Sequence, residues 1–449
     1  MIGFETVGNA TLICYDRTPV LVTDPWISGR AYFGSWGLTH EIPIPQLDSI
    51  LNAEYLWFSH GHPDHLDADS LDRFQNKKIL LPNHVGARIY HDLASRGYNV
   101  SILPDREWVE LSHHIRVLCI SDYYQDSLLL LDINGRLVVN LNDATDRGWG
   151  RFVRKIIKNY DVTFLLKLIS YGDPDMNNFF SETGERIPVL QRFSLGQRLQ
   201  FWAELYGVRY VVPFSSFHRY QRADSIWAND YVATFEDYKD GLTSNRFELL
   251  PPFISYDCVC DTLSELRPAK TAVVVHQPDT FGDTWSDQLQ CTDVTILEDY
   301  FRSIESLSDH LDYVRLRVGK RDMTISVSSR NFKRGITFEV PRSSLMTAVR
   351  YEIFDDLLIG NFMKTTVHHL APRDFNRYFT APAAKFADNG RAKSKNELKA
   401  YLQAYRRRAY LDFIVHSFER ESERRFRSFV HRDSAVFEWA KRGYRLLKA

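Results

Sequence analysis

Short apolar runs separated by turn residues make up much of the first part of the chain. Two of these runs flank Asn134-Gly135, which is a strong signal for a two-residue hairpin turn. Other runs alternate with segments whose apolar residues recur every three or four positions, as in amphipathic helices. The predicted strands are 10–15, 20–23, 55–58, 78–81, 115–120, 127–133, 136–142, 164–169 and 208–214, and the predicted helices are 69–74, 84–96, 152–160 and 194–206. This alternation predicts an α/β chain folded as an αβ/βα sandwich.

The pattern becomes irregular around residues 235–268, and we therefore place a domain boundary near residue 275. Beyond it, three short strands predict a small antiparallel sheet, and the last part of the chain has helical periodicity. The three strands are 313–318, 323–327 and 336–340, and the helical part is 395–447. The predicted units are residues 1–275, a small α+β domain over 276–390, and a basic helical C-terminal segment over 391–449.

Charge modifies this picture at one end of the chain. The 449 residues carry a formal net charge of −1, which argues against a dedicated nucleic-acid binder. Residues 391–449, however, hold 16 Lys and Arg against 7 Asp and Glu. A solvated helical face with salt bridges explains this excess, and the alternative is attraction to phosphate groups, an acidic electron donor or an anionic surface.

Composition also bounds the compartment. No uninterrupted apolar run approaches the length of a membrane span, and the N-terminus has neither the basic nor the apolar region of a signal peptide. Five cysteines are too few and too scattered for a disulfide framework. We read Cys258-x-Cys260 as two ordinary thiols, because no second pair of ligands follows it. We therefore expect a cytoplasmic protein without a transmembrane segment.

A histidine-rich loop after the strand over 55–58 carries the candidate chemistry. His60, His62, Asp64 and His65 stand within six residues. Imidazole and carboxylate together suit zinc, iron or manganese better than calcium or magnesium. His60 and His62 can turn toward one ion, while Asp64 and His65 face a second ion beside it. The loop therefore predicts two metal ions, and the alternative is a surface loop with chance histidines.

The pattern His-x-His-x-Asp-His over 60–65 resembles the signature of the metallo-β-lactamase superfamily. The resemblance implies that superfamily's αβ/βα sandwich, here with a C-terminal α+β extension ending in helices. It also implies roles for three residues elsewhere. Asp143 would bridge both ions, and His218 would complete the second ion's ligands. Asp24 would lie behind the ligands, because a carboxylate that accepts the other N–H of a ligand histidine fixes its ring.

The third metal-binding motif of the superfamily is where the chain departs from the pattern. A histidine is expected after the strand over 115–120, and the chain has Asp122 and Asp126 there instead. We expect Asp122 to replace the histidine, with Asp126 as the alternative. Otherwise the site holds a single ion, or a residue from elsewhere fills the gap. A further oxygen ligand favours iron or manganese over zinc.

Longer segments resemble the catalytic part of the CMP-N-acetylneuraminate hydroxylase family, whose members use iron and oxygen. These segments are 24–26, Trp36 with 38–41, 143–145, 212–214 and 352–362. The resemblance implies a non-haem diiron monooxygenase, an oxidoreductase that hydroxylates a small polar substrate, and it alone points to a nucleotide sugar. No cysteine stands two residues before a histidine, so we expect no Rieske iron–sulfur centre of the kind this family carries. A separate ferredoxin or reductase would then supply electrons.

We therefore interpret the chain as a metal-dependent oxygenase with two ions, iron favoured and zinc or manganese as alternatives. The expected ligands are His60, His62 and Asp122 on one ion, Asp64, His65 and His218 on the other, and Asp143 bridging, with Asp64 and Asp143 as catalytic residues. The polar and aromatic loop over 171–180 is expected to wall the substrate pocket. The first alternative is a metal-dependent hydrolase of an ester, amide or phosphodiester, because two ions activate a bridging water. A metal-binding or lipid-carrying protein without turnover is the third possibility.

Overall fold

The computed structural model describes residues 1–171, 178–188, 194–215, 217–331 and 333–418. The strands within these ranges are β1 (Ile2–Gly8), β2 (Thr11–Asp16), β3 (Thr18–Thr23), β4 (Trp36–Leu38), β5 (Tyr55–Trp57), β6 (Lys78–Leu81), β7 (Asn99–Ile102), β8 (Trp108–Glu110), β9 (Ile115–Ser121), β10 (Ser127–Ile133), β11 (Arg136–Asn142), β12 (Thr163–Lys167), β13 (Phe179–Phe180), β14 (Tyr210–Pro213), β15 (His218–Tyr220), β16 (Glu248–Leu249), β17 (Ile254–Asp257), β18 (Thr262–Glu265), β19 (Tyr313–Val318), β20 (Arg321–Ser326), β21 (Gly335–Glu339) and β22 (Lys364–His368). The α-helices are α1 (Ile44–Asn52), α2 (Arg88–Ser95), α3 (Gly150–Ile157), α4 (Leu195–Tyr206), α5 (Phe235–Lys239), α6 (Cys291–Ser303), α7 (Arg342–Arg350), α8 (Phe354–Ile359) and α9 (Lys395–Arg408), and residues 376–389 form a π-helix.

Two large sheets pack face to face and form the first part of the molecule. One has the strand order β18-β17-β1-β2-β3-β5-β6-β7, and the other has the order β16-β14-β12-β11-β10-β9-β8. Side chains alternate along each strand, so Leu129 and Leu131 of β10 point into the core between the sheets. Leu128 and Leu130 point to the outer face, where α3 and α4 cover them. Helices α1 and α2 cover the outer face of the first sheet. The predicted αβ/βα sandwich is confirmed.

A smaller sheet with its helices forms a second core, which we call the C-terminal module (residues 278–389). The prediction of a small antiparallel sheet here is wrong in two respects. Strand β19 pairs parallel with β21, and β22 and β13 extend the sheet, so it is mixed and five-stranded. Strand β13 belongs to the first part of the chain and pairs with β22 across the two units. His368 lies on β22, where it contacts Thr337 and Glu182 rather than the histidine-rich loop.

The described part of the C-terminal segment is helical. Helix α9 ends in Arg406, Arg407 and Arg408, and a further helical stretch covers residues 410–418. The rest of the helical prediction, residues 419–449, lies outside the described residues. No helix that the structure describes has both the length and the apolar character that crossing a membrane requires.

A buried ion pair joins the sandwich to the C-terminal module. Arg222 follows β15 and is fully buried, with Nη2 2.7 Å from Oδ2 of Asp283. Asp283 also accepts the backbone N–H of Ser344, near the start of α7, at 3.0 Å. The guanidinium lies 3.9 Å over the ring of Phe362. Arg222 also pairs with Asp224, whose Oδ1 lies 2.8 Å from Nε. Because the charges of Arg222 and Asp283 are removed from water, they depend on these contacts for their solvation.

We expect Asp283→Ala to lower the free energy of unfolding by about 3–5 kcal/mol, because it leaves the Arg222 guanidinium buried with less compensation. Urea unfolding followed by tryptophan fluorescence measures this change. The matched control is Glu265→Ala, which breaks an exposed pair with Arg267 and should cost less than about 0.5 kcal/mol. An equal effect of the two substitutions would contradict the role given to the buried pair.

Candidate metal centre

The candidate centre lies where strand ends of both sheets meet at one edge of the sandwich. Strands β3 and β5 are parallel neighbours, so Asp24 comes to lie beside the start of the metal loop (residues 59–65). Oδ1 of Asp24 accepts the backbone N–H of Ser59 at 2.7 Å. In the opposite sheet, parallel pairing of β11 with β12 places Asp143 near the end of β12. Ligands of α/β proteins bind at such carboxyl ends of strands.

His60 and His62 direct one nitrogen each to a common point. Nε2 of His60 lies 2.8 Å from Nδ1 of His62 and 4.0 Å from Oδ2 of Asp143. The outer nitrogens have other partners, because Nδ1 of His60 lies 2.9 Å from Oγ of Ser59 and Nε2 of His62 lies 2.8 Å from Oδ2 of Asp355. When each outer nitrogen donates its hydrogen, each inner nitrogen carries a lone pair. Two lone pairs this close can bind a shared cation.

His65 forms a second set with two carboxylates. Its Nε2 lies 3.3 Å from Oδ2 of Asp64 and 3.4 Å from Oδ2 of Asp143. Its Nδ1 faces Oδ2 of Asp24 at 3.2 Å, which leaves Nε2 as the metal-facing nitrogen. Ligand atoms of His60, His65 and Asp143 all lie within 4.8 Å of one another.

Buried polar atoms without a partner show that this cluster fits metal ions. Nε2 of His65, Oδ1 of Asp143 and Nδ1 of His218 are buried and have no hydrogen-bond partner among the described residues. Leaving such atoms without a partner costs free energy. A bound cation would offset this cost at Nε2 of His65 and Oδ1 of Asp143. Nitrogen and carboxylate oxygen together are a donor set for iron, manganese or zinc.

The protonation of the histidines agrees with this fit. Burial, followed by the charges of His65 and His62, holds the pKa of His60 well below its ordinary value, so the ring is neutral. Burial also acts to lower the pKa of His65, but the carboxylates of Asp64, Asp143 and Asp24 outweigh it and raise that pKa. A metal ion on Nε2 would take the place of the proton that these carboxylates favour.

His218 and Asp64 lie on the wall of the same cavity, which is about 340 Å³ in volume. Strand β15 pairs with β4, and the His218 ring stacks on Trp36 with centroids 3.3 Å apart and the ring planes 1° from parallel. Burial lowers the pKa of His218 to about 3, so this ring is neutral. Asp64 accepts hydrogen bonds from Tyr32 and from Asn9, the latter at 2.9 Å. His218 is outside the tight cluster of His60, His65 and Asp143, and it lines the cavity next to that cluster.

The expected ligand Asp122 is not among the residues of the tight cluster. Its Oδ1 accepts the backbone N–H groups of Tyr124 and Asp126, and Oδ2 faces Nε of Arg147 at 3.5 Å. The tight turn over 122–126 thus uses Asp122 to cap its own backbone. Asp126 instead lines the cavity beside His62. Asp126 is therefore the carboxylate of this motif that borders the centre.

Two functional candidates come from the C-terminal module and were missed by sequence reasoning. Oδ2 of Asp355, on α8, lies 2.8 Å from Nε2 of His62 and 2.7 Å from Nζ of Lys385, on the π-helix. The sequence did point to this segment, because residues 352–362 resemble the hydroxylase family. That resemblance, however, did not indicate a function for Asp355.

Cations and aromatic rings line the part of the cavity beyond the metal cluster. Lys167, at the end of β12, is buried, donates to the carbonyl of Ala144 at 3.0 Å and lies 5.0 Å from the ring of Trp202. No carboxylate of the described residues lies within ion-pair distance of it. Arg198 and Tyr231 line the same region. Residues 172–177, most of the expected pocket wall, lie outside the described residues.

Comparison with known proteins confirms part of the resemblance predicted from the sequence. No protein-family model matches the chain. Cytidine monophosphate-N-acetylneuraminic acid hydroxylase from Danio rerio is 28% identical over 140 residues, covering 29% of this chain and 24% of the relative. The inactive hydroxylase from Homo sapiens is 26% identical over 145 residues, covering 30% of this chain and 29% of the relative. The match thus spans about a quarter of the length of these relatives.

Solved structures similar to the chain include a possible metal-dependent hydrolase from Veillonella parvula, with 13% identity and a TM-score of 0.41, covering 56% of this chain and 97% of that one. CmlA, a diiron β-hydroxylase from Streptomyces venezuelae, has 17% identity and a TM-score of 0.34, covering 47% of this chain and 44% of that one. Likeness at this level carries no conclusion about activity.

The different positions of Asp122 and Asp126 lead to a paired prediction. We expect Asp126→Asn to lower the affinity for one metal ion by about tenfold or more, because it removes a charged oxygen beside the cluster. Asp122→Asn should bind metal like the unmodified protein. Metal content after equilibrium dialysis against one metal buffer compares the two variants. Loss of metal from Asp122→Asn, with retention in Asp126→Asn, would reverse the assignment.

Proposed function

We propose that the chain is a non-haem diiron oxygenase that hydroxylates a small anionic substrate. The observation that carries the proposal is the donor set, in which ligand atoms of His60, His65 and Asp143 lie within 4.8 Å of one another. His62, Asp64 and Asp126 add further donors on the wall of the adjoining cavity. A carboxylate in the third motif makes the set richer in oxygen, which favours iron over zinc. The likeness to the hydroxylases supports the same reaction class.

In this proposal His60, His62 and Asp126 would hold one ion, Asp64, His65 and His218 would hold the other, and the carboxylate of Asp143 would serve both. Two iron ions held there would supply the one-electron chemistry that activates O₂. One oxygen atom enters a C–H or N–H bond of the substrate and the other leaves as water, which consumes two electrons and two protons. A separate electron donor, a ferredoxin or a reductase, delivers the electrons.

The chain's own residues orient the reacting groups and exclude water. Tyr32 donates its hydroxyl hydrogen to Asp64 and packs against Trp36 with ring centroids 4.6 Å apart. The Trp36 ring in turn covers His218. These contacts fix one side of the cavity, so a substrate enters against a rigid aromatic wall. Fixed geometry of this kind contributes to catalysis by restricting the reactants to productive arrangements.

Lys167 supports an anionic substrate. A buried ammonium that no carboxylate of the described residues contacts is costly, and a carboxylate or phosphate of the substrate would offset that cost. Trp202 and Tyr231 line the same region and add aromatic surface that suits a planar group. A nucleotide or nucleotide sugar has both features, and this chemistry agrees with the substrate that the hydroxylases' name contains.

Metal content and oxygen consumption test the reaction class. Protein purified without added metal is expected to contain close to two iron ions per chain and to consume O₂ when reduced, because its oxygen-rich ligands favour iron. Elemental analysis and an oxygen electrode measure both quantities. Zinc in place of iron, with hydrolysis of an ester or phosphodiester and no O₂ uptake, would favour the hydrolase alternative.

The substrate class has its own test in Lys167→Met. We expect this variant to bind cytidine monophosphate about tenfold or more weakly, since a charged hydrogen bond is lost, and to bind neutral cytidine unchanged. Burial lowers the pKa of Lys167 to about 8. Nucleotide affinity of the unmodified protein should therefore fall as the pH rises through 8, and this pH dependence should be absent in the variant.

Isothermal titration calorimetry of both ligands between pH 7 and 9 gives these affinities. Lys155→Met, which alters an exposed lysine of α3, is the control and should bind like the unmodified protein. Equal affinity of Lys167→Met and the control for cytidine monophosphate would exclude Lys167 from substrate binding.

A further inference from the structure

The C-terminal module reaches the metal loop through one hydrogen-bonded chain of three side chains. His62 contacts Asp355, and Asp355 contacts Lys385, through Oδ2 of the same carboxylate at 2.8 Å and 2.7 Å. The carboxylate has 2% of its residue surface exposed, so solvent does not compete for these contacts. No other acceptor for Nε2 of His62 is found in the part of the chain that the structure describes.

The position of Asp355 is set by its helix and not by the metal loop. Phe354, Leu357 and Leu358 anchor α8 in the core of the module. The backbone N–H of Phe354 donates to Oδ2 of Asp388 at 3.2 Å, which ties the start of α8 to the π-helix. The wider turns of that helix, a form frequent at functional sites, carry Lys385 to the other side of Asp355. The carboxylate is therefore held from two elements of the module.

The chemistry of this contact concerns the ring of His62. When Asp355 accepts the hydrogen of Nε2, the lone pair of His62 must reside on Nδ1, the atom that lies 2.8 Å from Nε2 of His60. A carboxylate in this position also increases the basicity of the metal-facing nitrogen. Asp24 has the same relation to His65. His65 is thus oriented from within the sandwich, and His62 from the C-terminal module.

We propose that Asp355 is a positioning residue of the metal centre, and that Lys385 holds Asp355 in place, so the first ion's site is complete only when the C-terminal module is docked. The proposal rests on the two-metal centre of the proposed function but not on the reaction performed there. A buried ion pair that serves only the stability of the module would have the same contacts. Metal affinity separates the two roles.

Titration of the metal-free full chain with Co²⁺, followed by visible absorption, tests the proposal. We expect the unmodified protein to bind two ions, and Asp355→Asn to bind one of them about 10–100-fold more weakly with an altered spectrum. Affinity for the other ion should be retained. Lys385→Met should also lower the affinity for that same ion, but by a smaller factor. The control Asp293→Asn alters a buried carboxylate of α6 in the same module that pairs with Arg342, so its metal binding should not change.

Hydrogen exchange of residues 354–359 gives a second measurement. Co²⁺ is expected to slow exchange there in the unmodified protein and in Asp293→Asn, but not in Asp355→Asn. Unchanged affinity for both ions in folded Asp355→Asn overturns the proposal, as does unchanged affinity in Lys385→Met if the first variant does not fold. Failure of the unmodified protein to bind two ions would instead refute the metal centre itself.

Discussion

The centre depends on carboxylates that accept hydrogen bonds from the outer nitrogens of ligand histidines. Asp24 faces His65 and Asp355 faces His62, and all four side chains are buried. Each contact leaves the other ring nitrogen to bind a metal ion and directs it toward Asp143 or His60. Without these acceptors the rings could rotate or change tautomer, and the four histidine and aspartate residues of the loop would not define an ion site. The fold around them serves to bring these acceptors into place.

Local sequence was sufficient for much of this arrangement. The hairpin over 127–142 follows from Asn134-Gly135, and both residues have the positive φ that such a turn requires. The metal loop follows from the spacing of His60 to His65 after a buried strand, and Asp143 from its place after β11. These features depend on neighbours within a few residues, and the αβ/βα sandwich follows from the alternation of elements that they punctuate.

Other features depend on contacts between distant segments. Asp122 and Asp126 are equivalent in spacing, and only the turn that Asp122 caps determines which carboxylate faces the cavity. Asp355 is almost 300 residues from His62, so no local pattern marks it as a partner of the loop. The parallel pairing of β19 with β21 likewise depends on the connection between them, which strand periodicity does not describe. Sequence thus indicated the donors and Asp24, which orients one of them, and left out Asp355, which orients another.

The central claim is that two ions lie between the metal loop and Asp143. Crystals of the iron-loaded protein, measured with anomalous scattering at the iron edge, test this claim most directly. The account predicts two peaks about 3.5–4 Å apart, both beside Asp143, with His60 and His62 on one and His65 on the other. A single peak, or peaks distant from the loop, would contradict it.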